Sequence, residues 1–159
     1  MTDKEKNYRE MCIQLKGIIE DEPDALANLS NSAALLWSCM KNINWSGFYL
    51  LKNGQLVLGP FQGKPACVRI NMGKGVCGTS AEKRESIVVQ DVHLFPGHIA
   101  CDEASASEVV IPIIRAGRLM GVLDIDSPFK ERFDAEDRKG LEAFTEILSA
   151  AVCFESLIY

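Results

Sequence analysis

The clearest structural signal in this chain lies in residues 107–126, Ser-Glu-Val-Val-Ile-Pro-Ile-Ile-Arg-Ala-Gly-Arg-Leu-Met-Gly-Val-Leu-Asp-Ile-Asp. It consists of two apolar runs separated by the turn-forming pair Ala116-Gly117. Apolar runs of this length on either side of a short glycine-containing turn are typical of a β-hairpin. The sequence therefore predicts antiparallel strands over Ser107–Arg115 and Arg118–Asp126.

The turn chemistry of this hairpin predicts how its strands pair. A two-residue type I′ turn needs a positive φ at both central residues, which alanine disfavours. A three-residue loop with Gly117 left-handed in a G1 bulge suits the sequence better. That loop sets Glu108 opposite Asp124, whereas the two-residue turn would direct Glu108 to the other face.

Two acidic residues of the second strand share a face, because alternate strand residues point the same way. With the bulged turn, Glu108 joins Asp124 and Asp126 in a three-carboxylate cluster. Such a cluster repels itself unless a proton or a cation intervenes. The alternatives are that Glu108 is an edge charge that limits aggregation and that Asp126 lies at a solvated strand end.

The flanking sequence places helices around such hairpins. A second hairpin turns at Asn53-Gly54, and an apolar helical period marks both ends of the chain. The predicted helices are residues 3–20, 23–40 with Pro23 in the first turn, 75–84, and a last helix capped by Asp134; the predicted strands are 45–52, 55–61, 67–70 and 87–89 beside the hairpin above. This order predicts an α+β fold, a central antiparallel sheet of about six strands with the N- and C-terminal helices packed largely on one face, in a single domain over residues 1–159.

Composition narrows the function classes. The 159 residues carry a formal net charge of −5 and a pI near 5.1, which argues against nucleic acid and anionic membrane surfaces as partners. No apolar run approaches a membrane span, and the first residues lack the apolar core of a secretory signal. We therefore expect a cytoplasmic protein in which six cysteines do not form a disulfide framework.

The six cysteines fall into two groups. Cys67, Cys77 and Cys101 are flanked by glycine, proline or charged residues, which favours thiol chemistry with one nucleophile and partners that resolve it. The other three lie in helical patterns and are predicted to be small buried hydrophobic residues: Cys12, Cys39 and Cys153. A position near a helix N-terminus favours a lowered pKa for Cys77.

Zinc is the rival interpretation of Cys67, Cys77 and Cys101. Their spacings of ten and twenty-four residues contain no Cys-x-x-Cys pair, which structural zinc sites usually show. We therefore expect no bound metal.

Two further features suggest a ligand pocket. Residues 90–106 form a long segment without an apolar period, predicted either as an active-site lid or as a solvated excursion. Trp45 and Tyr49 share one strand face, where they are either ordinary core aromatics or an apolar wall for a small ligand with a hydroxyl handle.

These same regions carry a family resemblance. The matching stretches are Asn-Trp-Ser-Gly-Phe-Tyr (44–49), Leu-Gly-Pro-Phe-Gln-Gly-Lys-Pro-Ala-Cys (58–67), Gly-Lys-Gly-Val-Cys-Gly-Thr (73–79), Asp-Val-His-Leu-Phe-Pro-Gly-His-Ile-Ala-Cys-Asp (91–102) and Leu-Asp-Ile-Asp-Ser-Pro (123–128). The sequence resembles the free methionine-(R)-sulfoxide reductases, which are single-domain GAF proteins. The resemblance covers nearly the whole chain.

The resemblance implies roles for the three cysteines. Cys101 would be the nucleophile, and Cys67 would resolve it by forming a redox disulfide with Cys101. Cys77 would be an alternative resolving partner.

The resemblance also assigns the pocket residues and the partners. Glu108, Asp124 and Asp126 would bind and polarise free L-methionine (R)-sulfoxide, while Trp45 and Tyr49 would surround its methyl-sulfur end. It further implies recycling by thioredoxin, no bound cofactor, a cytoplasmic location and a homodimer. The alternatives are a non-catalytic GAF module that binds a small ligand and a redox sensor.

Overall fold

The helices and strands follow one another in the order that the hydrophobic patterns predict. The computed structural model describes residues 1–98 and 102–158. In this part of the chain the main elements are α1 (Asp3–Ile19), α2 (Ala25–Cys39), β1 (Trp45–Lys52), β2 (Gln55–Gly63), β3 (Arg69–Asn71), α3 (Gly75–Lys83), β4 (Ile87–Val89), β5 (Ser107–Arg115), β6 (Arg118–Ser127) and α4 (Ala135–Ala151). Single 3-10 turns follow β4 and α4, at Val92–Leu94 and Phe154–Ser156.

The six strands form one antiparallel sheet in the order β3-β2-β1-β6-β5-β4. The hairpin of β5 and β6 therefore lies inside the sheet, and β6 pairs with β1 of the other hairpin. This arrangement confirms the predicted α+β fold. It also places the acidic residues of β6 next to the aromatic residues of β1.

The two faces of the sheet are covered differently. Helices α1, α2 and α4 pack on one face around a large core that includes Leu36, Phe48 and Phe144, all fully buried. The other face carries α3 and a smaller cluster with Trp45 and Cys77. The predicted packing of the terminal helices on one face is confirmed. None of the helices in the described part of the chain has the length and apolar character needed to cross a bilayer.

Two helix starts test the capping predictions. Asp134 caps α4, because its side chain accepts hydrogen bonds from the amides of Glu136 and Asp137. The second helix begins two residues later than predicted, at Ala25. The side chain of Asp24 accepts from the amide of Ala27, so this aspartate rather than Pro23 defines the start.

The turn between β5 and β6 contradicts the predicted G1 bulge. Ala116 and Gly117 both have positive φ, at 52° and 75°, and Arg115 pairs directly with Arg118. The loop is thus the two-residue type I′ turn that alanine disfavours. Pairing of the long flanking strands outweighs the local cost of a left-handed alanine, about 1–2 kcal/mol.

The bulge exists, but it lies further along the hairpin. Ile114 pairs with Leu119 while Ile113 pairs with Gly121, so Met120 is an extra residue in β6. The extra residue shifts the register by one and turns Glu108 back to the acidic face. A side chain at Gly121 would collide with the backbone carbonyl of Tyr49, which suits this strand position to glycine.

The register nevertheless differs from the predicted one. Glu108 lies opposite Asp126, and Asp124 lies opposite Val110. The predicted pairing of Glu108 with Asp124 is therefore wrong, although the three acidic residues share a face as expected.

The two hairpin turns allow a matched stability test. Asn53 and Ala116 occupy the same position of similar two-residue turns, with φ of 50° and 52°. Asparagine tolerates this conformation better than alanine. Ala116→Asn should therefore raise the free energy of unfolding by about 1 kcal/mol, and Asn53→Ala should lower it by about as much. Urea denaturation measures both. Equal stability of Ala116→Asn and the parent would contradict the assigned strain.

Candidate functional site

An aromatic wall lines one side of a pocket above the sheet. The rings of Trp45 and Tyr49 stack with centroids 5.9 Å apart, and Phe61 of β2 stacks on Trp45 at 5.2 Å. Gly47 lies opposite Phe61, and a side chain there would collide with the Phe61 side chain. The predicted pairing of Trp45 and Tyr49 on one face is thus confirmed. Phe61 was missed, although the glycine at 47 between two aromatic positions was a usable signal.

The polar ends of the wall hold the segment between β2 and β3. The indole Nε1 of Trp45 donates to the carbonyl of Lys64 at 3.1 Å. The hydroxyl of Tyr49 donates to the carbonyl of Cys67 at 2.8 Å. Cys67 itself is half-buried and disulfide-bonded. The wall therefore fixes the backbone of a disulfide-bonded residue beside the pocket.

The opposite side of the pocket is acidic. Glu108 and Asp124 are only 7% and 6% exposed, and Asp126 lies beside them on the same face of β5 and β6. Cys77, in the first turn of α3, completes the group. Single ligand atoms of Cys77, Glu108 and Asp124 all lie within 4.8 Å of one another. We call these four residues the acidic cluster.

Hydrogen bonds connect the acidic cluster. Asp126 interacts with both Glu108 and Asp124, and Asp124 also interacts with the thiol of Cys77. A hydrogen bond between two carboxyl groups requires a proton on one of them. Even so, the buried Oδ1 atoms of Asp124 and Asp126 have no hydrogen-bond partner. Buried acceptors without partners are costly and mark a place where a donor can bind.

Burial shifts the ionisation of the whole group. It is the main reason that the pKa values of Glu108 and Asp124 lie well above the usual range, and neighbouring carboxylates add to the shift. Burial also raises the pKa of Asp126, to about 6, because hydrogen bonds from Glu108 and Asp124 offset part of the penalty. Burial therefore favours the protonated form of Glu108 and Asp124 more strongly than that of Asp126.

The cysteine predictions are partly wrong. Burial and then Asp124 raise the pKa of Cys77 well above its usual value, so the predicted lowering by the helix N-terminus is overturned. Among the cysteines that the structure describes, Cys77 alone is buried. Cys39 and Cys153 are exposed and Cys12 is half-buried, which contradicts their prediction as buried core residues. Cys39 is the last residue of α2 and Cys153 lies beyond the end of α4, whereas Cys12 lies within α1 at the edge of its buried stripe and packs partly against the core.

The long segment after β4 is anchored beside the pocket. Cys101 lies outside the described residues. On its C-terminal side, the amide group of Asn44 donates to Asp102 Oδ2 and to Ser105 Oγ, both at 3.3 Å. The strand that follows is held by a bond from the Ala106 amide to the Ser127 carbonyl at 2.7 Å. The segment therefore approaches the acidic cluster.

The pocket brings most of the predicted site residues together. Trp45, Tyr49, Cys77 and the three acidic residues all line it. The free space that they enclose is about 40 Å³. Further lining residues that the sequence did not single out are Lys64, Pro65, Ala66, Ile70, Lys74, Gly75, Val76, His98, Asp102 and Ser105. Most of them belong to the glycine- and proline-rich segments around the three loop cysteines, and that neighbourhood was the available signal.

Known proteins share this architecture. The family model described as "GAF domain" matches residues 32–152. Protein YtsP of Bacillus subtilis is 54% identical over 94% of this chain and 93% of its own length. The free methionine-R-sulfoxide reductase of Escherichia coli is 48% identical over 87% and 84%. The structure of the Neisseria meningitidis free methionine-R-sulfoxide reductase in complex with its substrate superposes with a TM-score of 0.92 at 42% identity, covering 99% of this chain and 95% of that one.

Asp126 should give stability a specific pH dependence. Its pKa is raised from 3.8 to about 6 on folding. Its contribution to the free energy of unfolding is therefore fully present below pH 3.8 and is lost as the pH rises through 6. Asp126→Asn removes this loss. The variant should therefore gain stability over the parent progressively between pH 4.5 and 7.5, as measured by the free energy of unfolding in urea.

Asp134 provides a control, because its pKa is shifted in the direction opposite to that of Asp126. Its ion pair with Lys4, at 2.9 Å, lowers its pKa to about 2. That contribution is present above pH 3.8 and is lost only as the pH falls through 2. Asp134→Asn should cost a nearly constant amount between pH 4.5 and 7.5. A flat difference for Asp126→Asn as well would contradict the assigned ionisation.

Proposed function

This chain belongs to the GAF domain family, and we propose that it is an oxidoreductase that reduces free L-methionine (R)-sulfoxide to L-methionine. The observation that carries the proposal is a pocket in which an aromatic wall faces buried, partly protonated carboxyl groups beside the disulfide-bonded Cys67. Relatives named free methionine-R-sulfoxide reductase support it, since one of them is 48% identical.

The two sides of the pocket match the two ends of the substrate. The stacked rings of Trp45 and Tyr49 suit the methyl group and the polarisable sulfur. The unpartnered Oδ1 atoms of Asp124 and Asp126 suit a free ammonium group, which donates hydrogen bonds and relieves the repulsion between carboxylates. A peptide-bound methionine has no such ammonium group, so the same pocket disfavours it.

The carboxyl groups also suit the chemistry at the sulfoxide. We assign Cys101 as the nucleophile, whose thiolate attacks the sulfoxide sulfur. A protonated carboxyl group, Glu108 or Asp124, gives its proton to the sulfoxide oxygen as the S–O bond weakens. The raised pKa of each group favours the protonated form that this step needs. The bond between the methionine sulfur and the oxygen breaks as the oxygen passes to the sulfur of Cys101, so that methionine leaves reduced and Cys101 is oxidised to a sulfenic acid.

The second half of the cycle restores the thiol. The thiol of Cys67 condenses with the sulfenic acid of Cys101 to form a disulfide and water. A dithiol reductant, for which we propose thioredoxin, then reduces the disulfide by exchange. Two thiols are thus oxidised for each sulfoxide reduced. The high pKa of Cys77 supports a subordinate role, because a protonated thiol is a poor nucleophile.

The wider assignment follows from the resemblance given above. We propose that residues 1–159 act as a single GAF domain, that the enzyme is a cytoplasmic homodimer, and that it needs no bound cofactor. Three cysteines used for redox exchange, beside three that take no part in it, suit a reducing compartment.

Replacement of the nucleophile tests the assignment directly. Cys101→Ser should lower the turnover of free methionine (R)-sulfoxide by at least about 10³-fold, because no thiolate remains to attack the sulfur. NADPH consumption coupled through thioredoxin reductase and thioredoxin measures the rate, and chiral chromatography of a racemic mixture should show loss of the R epimer alone.

The exposed and half-buried cysteines provide the control for this test. The combined variant Cys12→Ser, Cys39→Ser, Cys153→Ser should keep nearly full turnover. Undiminished turnover in Cys101→Ser would refute the assignment. Absence of any turnover in the parent chain would favour a ligand-binding module or a redox sensor.

The resolving role of Cys67 predicts a stalled enzyme. Because sulfenic acid formation precedes disulfide formation, Cys67→Ser should release about one methionine per pre-reduced active site and then slow sharply. Quenched-flow measurement of methionine gives this stoichiometry. Slow residual cycling would come from Cys77, so Cys67→Ser combined with Cys77→Ser is the stricter variant. Unimpaired thioredoxin-driven cycling in that double variant would contradict the scheme.

A further inference from the structure

We propose that Cys77, Glu108 and Asp124 form a binding site for a divalent cation of the zinc type, and that this ion competes with the substrate. The competition rests on the proposed function, whereas the metal site itself rests on geometry alone. The site lies inside the pocket and uses a thiol that the proposed reaction employs only as a reserve.

The three ligands come from three different elements that converge. Cys77 is in the first turn of α3, Glu108 is in β5 and Asp124 is in β6. One ligand atom from each lies within 4.8 Å of the others, and all three residues are buried. Their side chains line the pocket, which gives an ion a path from solvent and leaves a position open for water. Three protein ligands with an open fourth position is a common arrangement for zinc.

A second observation points to a cation at the same place. The Oδ1 atoms of Asp124 and Asp126 are buried and have no hydrogen-bond partner. The hydrogen bonds inside the cluster therefore leave acceptor capacity unused. Asp124 can complete its coordination through this Oδ1, and Asp126 lies close enough to its neighbours to hydrogen-bond a metal-bound water.

The donor set selects the kind of ion. Thiolate with carboxylate oxygens suits zinc, which is borderline soft and accepts both. Mg²⁺ and Ca²⁺ prefer oxygen ligands alone and higher coordination numbers. This set differs from the one that the sequence suggested for zinc, which combined Cys77 with Cys67 and Cys101. The fold brings Cys77 next to the carboxyl groups of Glu108 and Asp124, which lie far from it in the sequence.

Binding must release protons, because the ligands have to ionise first. Zinc affinity should therefore rise steeply with pH. The other titratable groups that line the pocket are Tyr49, Lys64, Lys74, His98, Asp102 and Asp126. Among these, the two lysines oppose the ion and the two aspartates favour it.

The experiment uses a protein in which Cys77 is the sole cysteine, the other five being replaced by serine. Its matched control also carries Cys77→Ser. Thermal unfolding establishes that both are folded. Zinc chloride is then titrated in competition with a chromophoric chelator at pH 7 and pH 8. We expect one zinc per chain in the Cys77 protein, at least about tenfold weaker binding in the control, and tighter binding at the higher pH. Magnesium chloride should not compete.

One further variant and one displacement measurement complete the experiment. Asp124→Asn in the otherwise unchanged chain, measured without reductant, should also weaken zinc binding by at least about tenfold. Free methionine (R)-sulfoxide should displace zinc from the Cys77 protein, which lacks Cys101 and cannot consume it, while the N-acetylated sulfoxide should not.

The results separate the two proposals. Equal zinc binding with and without Cys77, or none in either protein, overturns the metal site whatever the enzyme assay shows. Zinc binding that the free sulfoxide does not displace overturns the competition. A chain that binds zinc through Cys77 but never reduces the sulfoxide supports the metal site and overturns the proposed function.

Discussion

Three carboxyl groups are kept together where little water reaches them, and the rest of the molecule is arranged around that constraint. An ionised carboxylate in such a place is unfavourable unless it is paired or protonated. Burial raises the pKa values of Glu108 and Asp124, which favours their protonated forms, and Asp126 interacts with both through hydrogen bonds. The proton donor that we propose for the reaction is thus favoured by the same burial that makes the charged groups unfavourable.

One face of the sheet carries most of the apolar core, and the other carries the pocket. The face under α1, α2 and α4 carries most of the apolar core, including Leu15, Leu29 and Leu148, none of which is exposed to solvent. The other face has a smaller apolar cluster and contains the acidic residues. Because a large core supplies the favourable burial, the molecule tolerates unfavourable charges on the opposite side of the same strands. Adjacent residues of β6, such as Leu123 and Asp124, illustrate the division.

Local patterns predicted the elements well and their exact pairing poorly. The Asn53-Gly54 turn and the cap at Asp134 are short-range signals, and the structure confirms both. Ala116-Gly117 misled because turn preference is a small energy, which strand pairing overrides. The face shared by the acidic residues was predicted correctly although the turn was wrong. The bulge at Met120 shifts the strand register by one residue, and this cancels the shift that the two-residue turn introduces. Burial of Cys77 was invisible in sequence, since it depends on strands that pack against α3 from far along the chain.

The bulge at Met120 makes the register of β6, rather than its length, the property on which the acidic face depends. A regular ladder continued from the same turn, with Met120 paired instead of bulged, would set Glu108 opposite Ile125, a fully buried residue on the helical face. The Glu108 side chain would then point into the apolar core and leave the acidic face of the sheet. Deletion of Met120 would instead keep Glu108 opposite Asp126, because the bulge and the extra residue would be lost together.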